Sequence, residues 1–265
     1  MANGMLERTH IAGGIDARRQ GRIAGALYLI VVATGFFSLG FVPSHLAALS
    51  DTYGVAAAIR ISEPLFRAGM ASFALEQIAF LMLPFALYPL LQSSGRYLAA
   101  AMIAFVLASI PLSFAALSGR YEALVLATGT TPSGEAATIV QAAVARAMDA
   151  YRRDLLFAHV FWGAWLVPFG LLVLRSRALP AVLGALLVVG GAGYFIDVFG
   201  TLLSASYPAT TFSAYVLLPA AAGEIGSCAW LLLFGARGSA LATTRVASAP
   251  GPDPRHRSTT SREHP

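Results

Sequence analysis

Residues 179–203 read LPAVLGALLVVGGAGYFIDVFGTLL, a run of 25 positions with one ionisable side chain, Asp197. A helix rises ~1.5 Å per residue, so this run is long enough to cross the ~30 Å hydrocarbon core of a bilayer. Lipid offers backbone N–H and C=O groups no water, and a helix satisfies them within one segment. Five further stretches have the same character: Ile23 to Val42, Ala68 to Leu91, Tyr97 to Leu117, Leu155 to Leu174 and Phe212 to Phe234. Arginine, proline or glycine closes off each of them. The pattern predicts an all-α membrane protein, a six-transmembrane-helix bundle with an extra outer-loop helix.

Composition agrees. Hydrophobic residues make up 57% of the 265-residue chain and charged residues 12%, with a mean hydropathy of +0.69; an average soluble domain is roughly 25% charged. The expected organisation is one membrane domain over residues 22–235, between a cytoplasmic N-terminal tail at 1–21 and a disordered basic C-terminal tail at 236–265. All 18 basic residues are arginine, giving a formal charge of +5. They gather at span ends, where they orient the chain and meet anionic lipid head groups, so no nucleic-acid partner is expected. Cys228 is the only cysteine and reads as packing in the last span. Arg18, Arg19 and Arg22 precede the first span as they would precede a signal peptide, but about 20 apolar residues exceed the ~7–15 of a signal h-region. The first span is read as a retained helix.

Orientation follows from the arginines. With the N-terminus inside, Arg8, Arg18, Arg19, Arg22, Arg96, Arg175, Arg177, Arg237, Arg245, Arg255, Arg257 and Arg262 are cytoplasmic, 12 of the 18. The others, Arg60, Arg67, Arg120, Arg146, Arg152 and Arg153, fall in two outer loops. This bias predicts a multi-pass membrane protein with both termini cytoplasmic.

The second outer loop is patterned. After Ser133, an N-cap candidate, Ile139, Val140, Ala143, Val144 and Met148 recur at helical spacing. That helix either continues into the fourth span or lies on the membrane surface. Gly54 to Phe66 reads as a shorter helix. Pro84, Pro111, Pro168 and Pro219 fall inside spans, where a kink is expected. Gly184, Gly190, Gly191, Gly193 and Gly200 strip bulk from the fifth span, which suggests a central place in the bundle.

The chemistry-bearing outliers are ionisable residues at membrane depth: Glu76, His159, Asp197 and Glu224. An unpaired charge there costs ~2.5–3.5 kcal/mol on insertion scales, so these residues should face inward. From the helix rise, His159 and Asp197 lie roughly 6–8 Å below the outer surface, Glu76 about 13 Å and Glu224 about 18 Å. The set suggests a shaft opening outward, with Glu63, Arg67 and His45 at its rim. Three readings stay open. One is a solvated pocket of Glu63, Arg67, Glu76, His159, Asp197 and Glu224 that binds a small-molecule ligand or exchanges protons. Another is interhelical glue, with His159 bonded to Asp197 merely registering two helices. The third is a membrane-embedded enzyme on a lipid-linked substrate, with His159 as general base. A metal held by His45, His159, Asp197 and Glu63 has the right ligand types but no helical ligand spacing. None of the hydroxyls Thr34, Ser38, Ser72 and Ser109 is marked as a nucleophile. No cofactor or catalytic residue is assigned, and oligomeric state is not readable.

Several of these residues stand in runs that resemble a known family. Glu63-Pro64-Leu65-Phe66-Arg67-Ala68-Gly69, His159 followed by Phe161-Trp162-Gly163, and Arg175-Ser176 with Pro180 and Leu183-Gly184 are similar to a bacterial six-helix membrane family. Gly191-Ala192-Gly193-Tyr194, Asp197 and Gly223-Glu224 continue the likeness, which covers Arg22 to Gly235. The family is catalogued as domain of unknown function 4386. The resemblance implies architecture and setting but no activity, and it adds weight to Glu63, Arg67, His159, Asp197 and Glu224. The chain departs from the pattern at Ala57 and Ala58, where an asparagine is expected, and at Ala181, where a basic residue is expected.

Overall fold

The computed structural model describes residues 2–129 and 133–237, with side chains from residue 16 onward. Six of its helical stretches are long and apolar enough to cross a membrane. The first stretch comprises α1 (Ala2–Gly35), a π-helix (Phe36–Phe41) and α2 (Val42–Tyr53). The short α3 (Val55–Ile61) leads into α4 (Glu63–Leu91), then α5 (Arg96–Thr128), α6 (Glu135–Ser176) and α7 (Ala181–Leu203). The last stretch is broken into α8 (Thr211–Tyr215) and α9 (Leu218–Phe234). Among the described residues there is no strand. The protein is an all-α, multi-pass membrane bundle.

The spans form a ring in chain order: each packs on its sequence neighbours, and α1 closes the circle against α9. Glycine makes that seam possible. A Cβ on Gly25 would lie 2.5 Å from the backbone nitrogen of Leu232, and Gly21 meets the backbone of Gly235 and Ala236. Arg22 donates to the Leu233 carbonyl at 3.4 Å, and the Arg237 N–H donates to Ala178 in the α6–α7 turn. Described arginines of both chain ends and of the two short turns therefore gather at one end of the bundle.

Inside the ring, Trp165 and Phe169 of α6 stack at 5.2 Å, and Trp165 meets Phe80 of α4 edge-on and Tyr28 of α1. A second core fills the opposite end, where Val42, Ile59, Phe66, Leu124 and Val144 come together from five helices. α6 is the most enclosed span, with 56% of its apolar window buried against 33% for α7. The glycine-rich fifth span is thus a wall of the ring rather than its centre. Its glycines serve close contact instead: Gly184 and Gly191 press on the carbonyls of Gly170 and Gly163 in α6, and Gly190 presses on Ala220 in α9.

The patterned outer loop proves to be the first turns of α6, one rod of 42 residues, or ~63 Å. Of the sequence that leads into it, Thr131 and Pro132 lie outside the described residues. The cap is Gly134 at φ 62°, with no side chain capping, rather than Ser133. α5 also runs on past Leu117, and the two extensions touch at Gly119, where a Cβ would lie 3.0 Å from the Ala147 carbonyl. α3 is stitched to the α6 extension by Gln141, whose Oε1 accepts from the Ala56 N–H at 2.9 Å. Pro84, Pro111 and Pro168 are inside helices as expected, whereas Pro219 stands in the first turn of α9. There its missing N–H removes no intrahelical bond. The residues assigned to an N-terminal tail belong to α1 from Ala2 on, and of those assigned to a disordered C-terminal tail, 238–265 lie outside the described residues.

Candidate functional site

The site begins with a proline. Pro43 has no N–H and stands two residues past the π-helix, whose closing bond runs from the Val42 N–H to the Phe37 carbonyl, five residues back. In an α-helix, the Ser38 carbonyl would accept from Val42; with a π-turn it would look to residue 43, which has nothing to give. The orphaned carbonyl is met from another span: Arg120 of α5 donates to it from Nη2 at 3.1 Å. The Ser38 hydroxyl donates in turn to Glu76 Oε2 of α4 at 3.0 Å. One serine thus holds a buried guanidinium on its carbonyl and a buried carboxylate on its hydroxyl.

Both charges are almost fully enclosed, with Arg120 1% exposed and Glu76 7%. A desolvated charge persists when it is paired and hydrogen-bonded. Arg120 also places its guanidinium carbon 4.5 Å from the Tyr151 ring centroid and 5.8 Å from that of Phe66, within cation–π range. Gly35 clears room for Glu76, since a Cβ there would lie 3.0 Å from Oε1. The sequence reading assigned Arg120 to an outer loop; it is instead an interior residue of α5.

Glu224 of α9 comes to the same interior from the other side of α1, accepting from the Tyr28 hydroxyl at 3.4 Å. Glu76 and Glu224 both line a cavity of about 460 Å³. Its walls carry the rings of Tyr28, Phe80, Trp162, Trp165 and Tyr194, contributed by α1, α4, α6 and α7. Its exposed lining residues are Ala33 on α1, Phe36 at the start of the π-helix, and Ala221 and Ile225 on α9. The mouth is therefore in the side of the ring, not at the outer end as the outward-opening shaft required. Toward the arginine-rich end the glycine seam holds α1 and α9 in backbone contact.

His159 and Asp197 sit behind this cavity. His159 Nδ1 is 3.8 Å from Asp197 Oδ2, and both side chains are about one-fifth exposed (19% and 18%). The imidazole packs at 5.1 Å from the Trp162 ring and 5.3 Å from Tyr194, two cavity walls, and its Nδ1 has no hydrogen-bond partner. In the connection after α7, burial raises the Tyr207 phenol above the usual tyrosine range, and the Asp197 carboxylate raises it further. Glu63 and Arg67 form an exposed pair along one turn of α4, 2.7 Å apart, away from the cavity. Arg67 lines a separate shallow groove with Phe114 and Tyr121. His45 is exposed and stacks on Phe41. The six expected site residues thus divide into a cavity pair, an adjoining His–Asp pair and a distant surface pair. Among the described residues, no three His, Cys, Asp or Glu side chains are grouped to hold a metal.

The sequence reading missed Ser38 and Tyr28 as carboxylate partners and Arg120 as their counter-charge. Two signals were available: a proline one turn after Ser38, and an arginine continuing the helical register of the third span. Ring and cavity together define a polytopic membrane protein with carboxylates buried at the bundle's interior. The chain belongs to the family described as Domain of unknown function (DUF4386), whose profile matches residues 23–235. That match begins at the first apolar span and ends on Gly235, the glycine that caps α9 at φ 70°. No curated protein and no solved structure matches the chain.

Proposed function

We propose that this protein is a transporter-like or sensor-like component of a bacterial inner membrane, with both termini cytoplasmic, whose interior cavity binds a small ligand or exchanges protons through Glu76 and Glu224. The observation that carries this reading is the arrival of two carboxylates from different spans at one cavity. Charges are costly in a membrane and mark pathways or binding sites when they face a shared interior. Glu76 and Glu224 each hold a hydroxyl donor, from Ser38 and Tyr28, which fixes one oxygen and leaves acceptor capacity toward the cavity. Positive-inside bias supports the orientation, since the arginine-rich end carries both chain ends.

At 3.8 Å His159 and Asp197 are too far apart for a hydrogen bond, and it is the packing of the imidazole on Trp162 and Tyr194 that supports a structural role for the histidine. A general-base role needs a hydroxyl or water within ~3 Å, and the ring neighbours of His159 argue for packing instead.

Infrared difference spectroscopy on the reconstituted protein tests the carboxylate reading. A carboxylic-acid C=O band that titrates with bulk pH is expected, with separate components removed by Glu76→Gln and by Glu224→Gln. Spectra unchanged by pH and by both substitutions would overturn it.

A further inference from the structure

Resting on the cavity as a ligand site, we propose that its ligand is a lipophilic organic cation that arrives sideways from the bilayer, between α1 and α9. Three independent features converge. Shape comes first: about 460 Å³ is within the ~300–1,000 Å³ of small-molecule sites, and the rim is apolar. At that rim Phe36 is 74% exposed and Ile225 54%, on helices whose outward faces meet lipid. Ile225 lies nine residues before the end of α9, ~14 Å along its axis and hence at hydrocarbon depth. A hydrated ion would be stripped of water on such a path, whereas a lipophilic cation already dissolved in the membrane would not.

The charge lining is one-sided. Glu76 and Glu224 face the cavity, and among the described residues no arginine lines it; Arg120 is turned to the far side of Ser38 and to Tyr151 and Phe66. Like charge therefore disfavours an anion, and opposite charge favours a cation. The remaining walls are aromatic faces, and the quadrupole of indole and phenol rings attracts diffuse cations. Two tryptophans, a phenylalanine and two tyrosines among the lining residues give an apolar body and a positive centre a place to sit together.

The experiment uses full-length protein in phosphatidylcholine nanodiscs, with tetraphenylphosphonium as probe and tetraphenylborate, of the same shape and opposite charge, as control. Binding is read by equilibrium dialysis and by quenching of Trp162 and Trp165 fluorescence. Saturable binding of the phosphonium, at least tenfold tighter than the borate, is expected in the wild type. Glu224→Gln should weaken it tenfold or more. Ala221→Trp, which narrows the mouth, should slow association tenfold. Wild-type uptake that is unsaturable or equal for both ions overturns the cation assignment whether or not any variant folds. An unslowed Ala221→Trp protein overturns the sideways route. If the infrared titration of Glu76 and Glu224 persists while phosphonium binding fails, this inference falls alone; silence in both removes the underlying site as well.

Discussion

Arg120 supplies Ser38, from another span, with the hydrogen bond that Pro43 withholds: Nη2 stands 3.1 Å from the serine carbonyl, while the serine hydroxyl reaches Glu76 at 3.0 Å. A local backbone defect, a long-range cation and a cavity carboxylate are joined through one small residue. Removing any of the three changes what the other two must do.

Arg120→Met keeps much of the side-chain volume and deletes the charge. The Ser38 carbonyl then has no donor and Glu76 no nearby counter-charge, so a loss of about 3 kcal/mol is expected. Thermal unfolding in mild detergent should show a midpoint fall of roughly 10 °C. Arg120→Lys should recover only part of it, because an ammonium lacks the planar face that lies over Tyr151. A midpoint within a degree of wild type would mean the buried guanidinium is not a structural partner.

Pro43→Ala restores an N–H one turn after the serine. The freed segment should exchange its π-turn for α-helical bonding and so relieve the Ser38 carbonyl of its need for Arg120. In a double-mutant cycle, Arg120→Met should then cost at least 1 kcal/mol less in the Pro43→Ala background. Strict additivity would uncouple the proline from the arginine.

Gly163→Ala and Gly40→Ala make a matched pair. The first would put a methyl 2.6 Å from Tyr194 Cβ and 2.9 Å from the Gly191 carbonyl, and should destabilise by about 1–3 kcal/mol. The second meets only the Phe36 ring at 3.8 Å and should be neutral or stabilising by a few tenths of a kcal/mol. Unfolding midpoints of the two variants, measured side by side, check the ranking.

Asp197→Asn removes a charge that adds to burial in raising the Tyr207 phenol. The Tyr207 phenol titrates higher in the folded protein than in the unfolded chain, chiefly through burial and then through Asp197. As pH rises through about 10, the unfolded chain loses this proton first, and the stability it confers is lost as pH climbs on through the folded value. In Asp197→Asn the tyrosinate absorbance assigned to Tyr207 by Tyr207→Phe subtraction should move to lower pH. The alkaline loss of stability should become smaller. Only a small change in stability at neutral pH is expected, below about 1 kcal/mol.

Length and grease made the spans legible, because a run such as 179–203 has no soluble alternative. The runs around His159 and Gly223-Glu224 made the family legible. What could not be read was convergence. Arg120 follows Ser118-Gly119, which ends an apolar run by composition, yet the helix continues to Thr128 because α6 runs beside it and gives the arginine Tyr151 to lie on. Glu63 and Arg67, to which the resemblance gave weight, bond to each other on the surface, four residues apart. Glu76, which the resemblance left aside, is the more deeply buried carboxylate of the cavity. Helical spacing predicts which face a residue takes; it does not predict which neighbours an orphaned carbonyl will summon from 82 positions away.

The glycine seam between α1 and α9 also sets an order of assembly. A ribosome delivers α1 before α9, so the ring remains an open crescent until α9 is in the bilayer. Ser38, Glu76 and Arg120 all arrive on the first three spans and can neutralise one another early, before any enclosure exists. Glu224 enters only with the closing helix, alongside the glycine-matched surface that Gly21 and Gly25 have kept clear for it. Among the described residues, α9 is thus the helix that shuts the vessel.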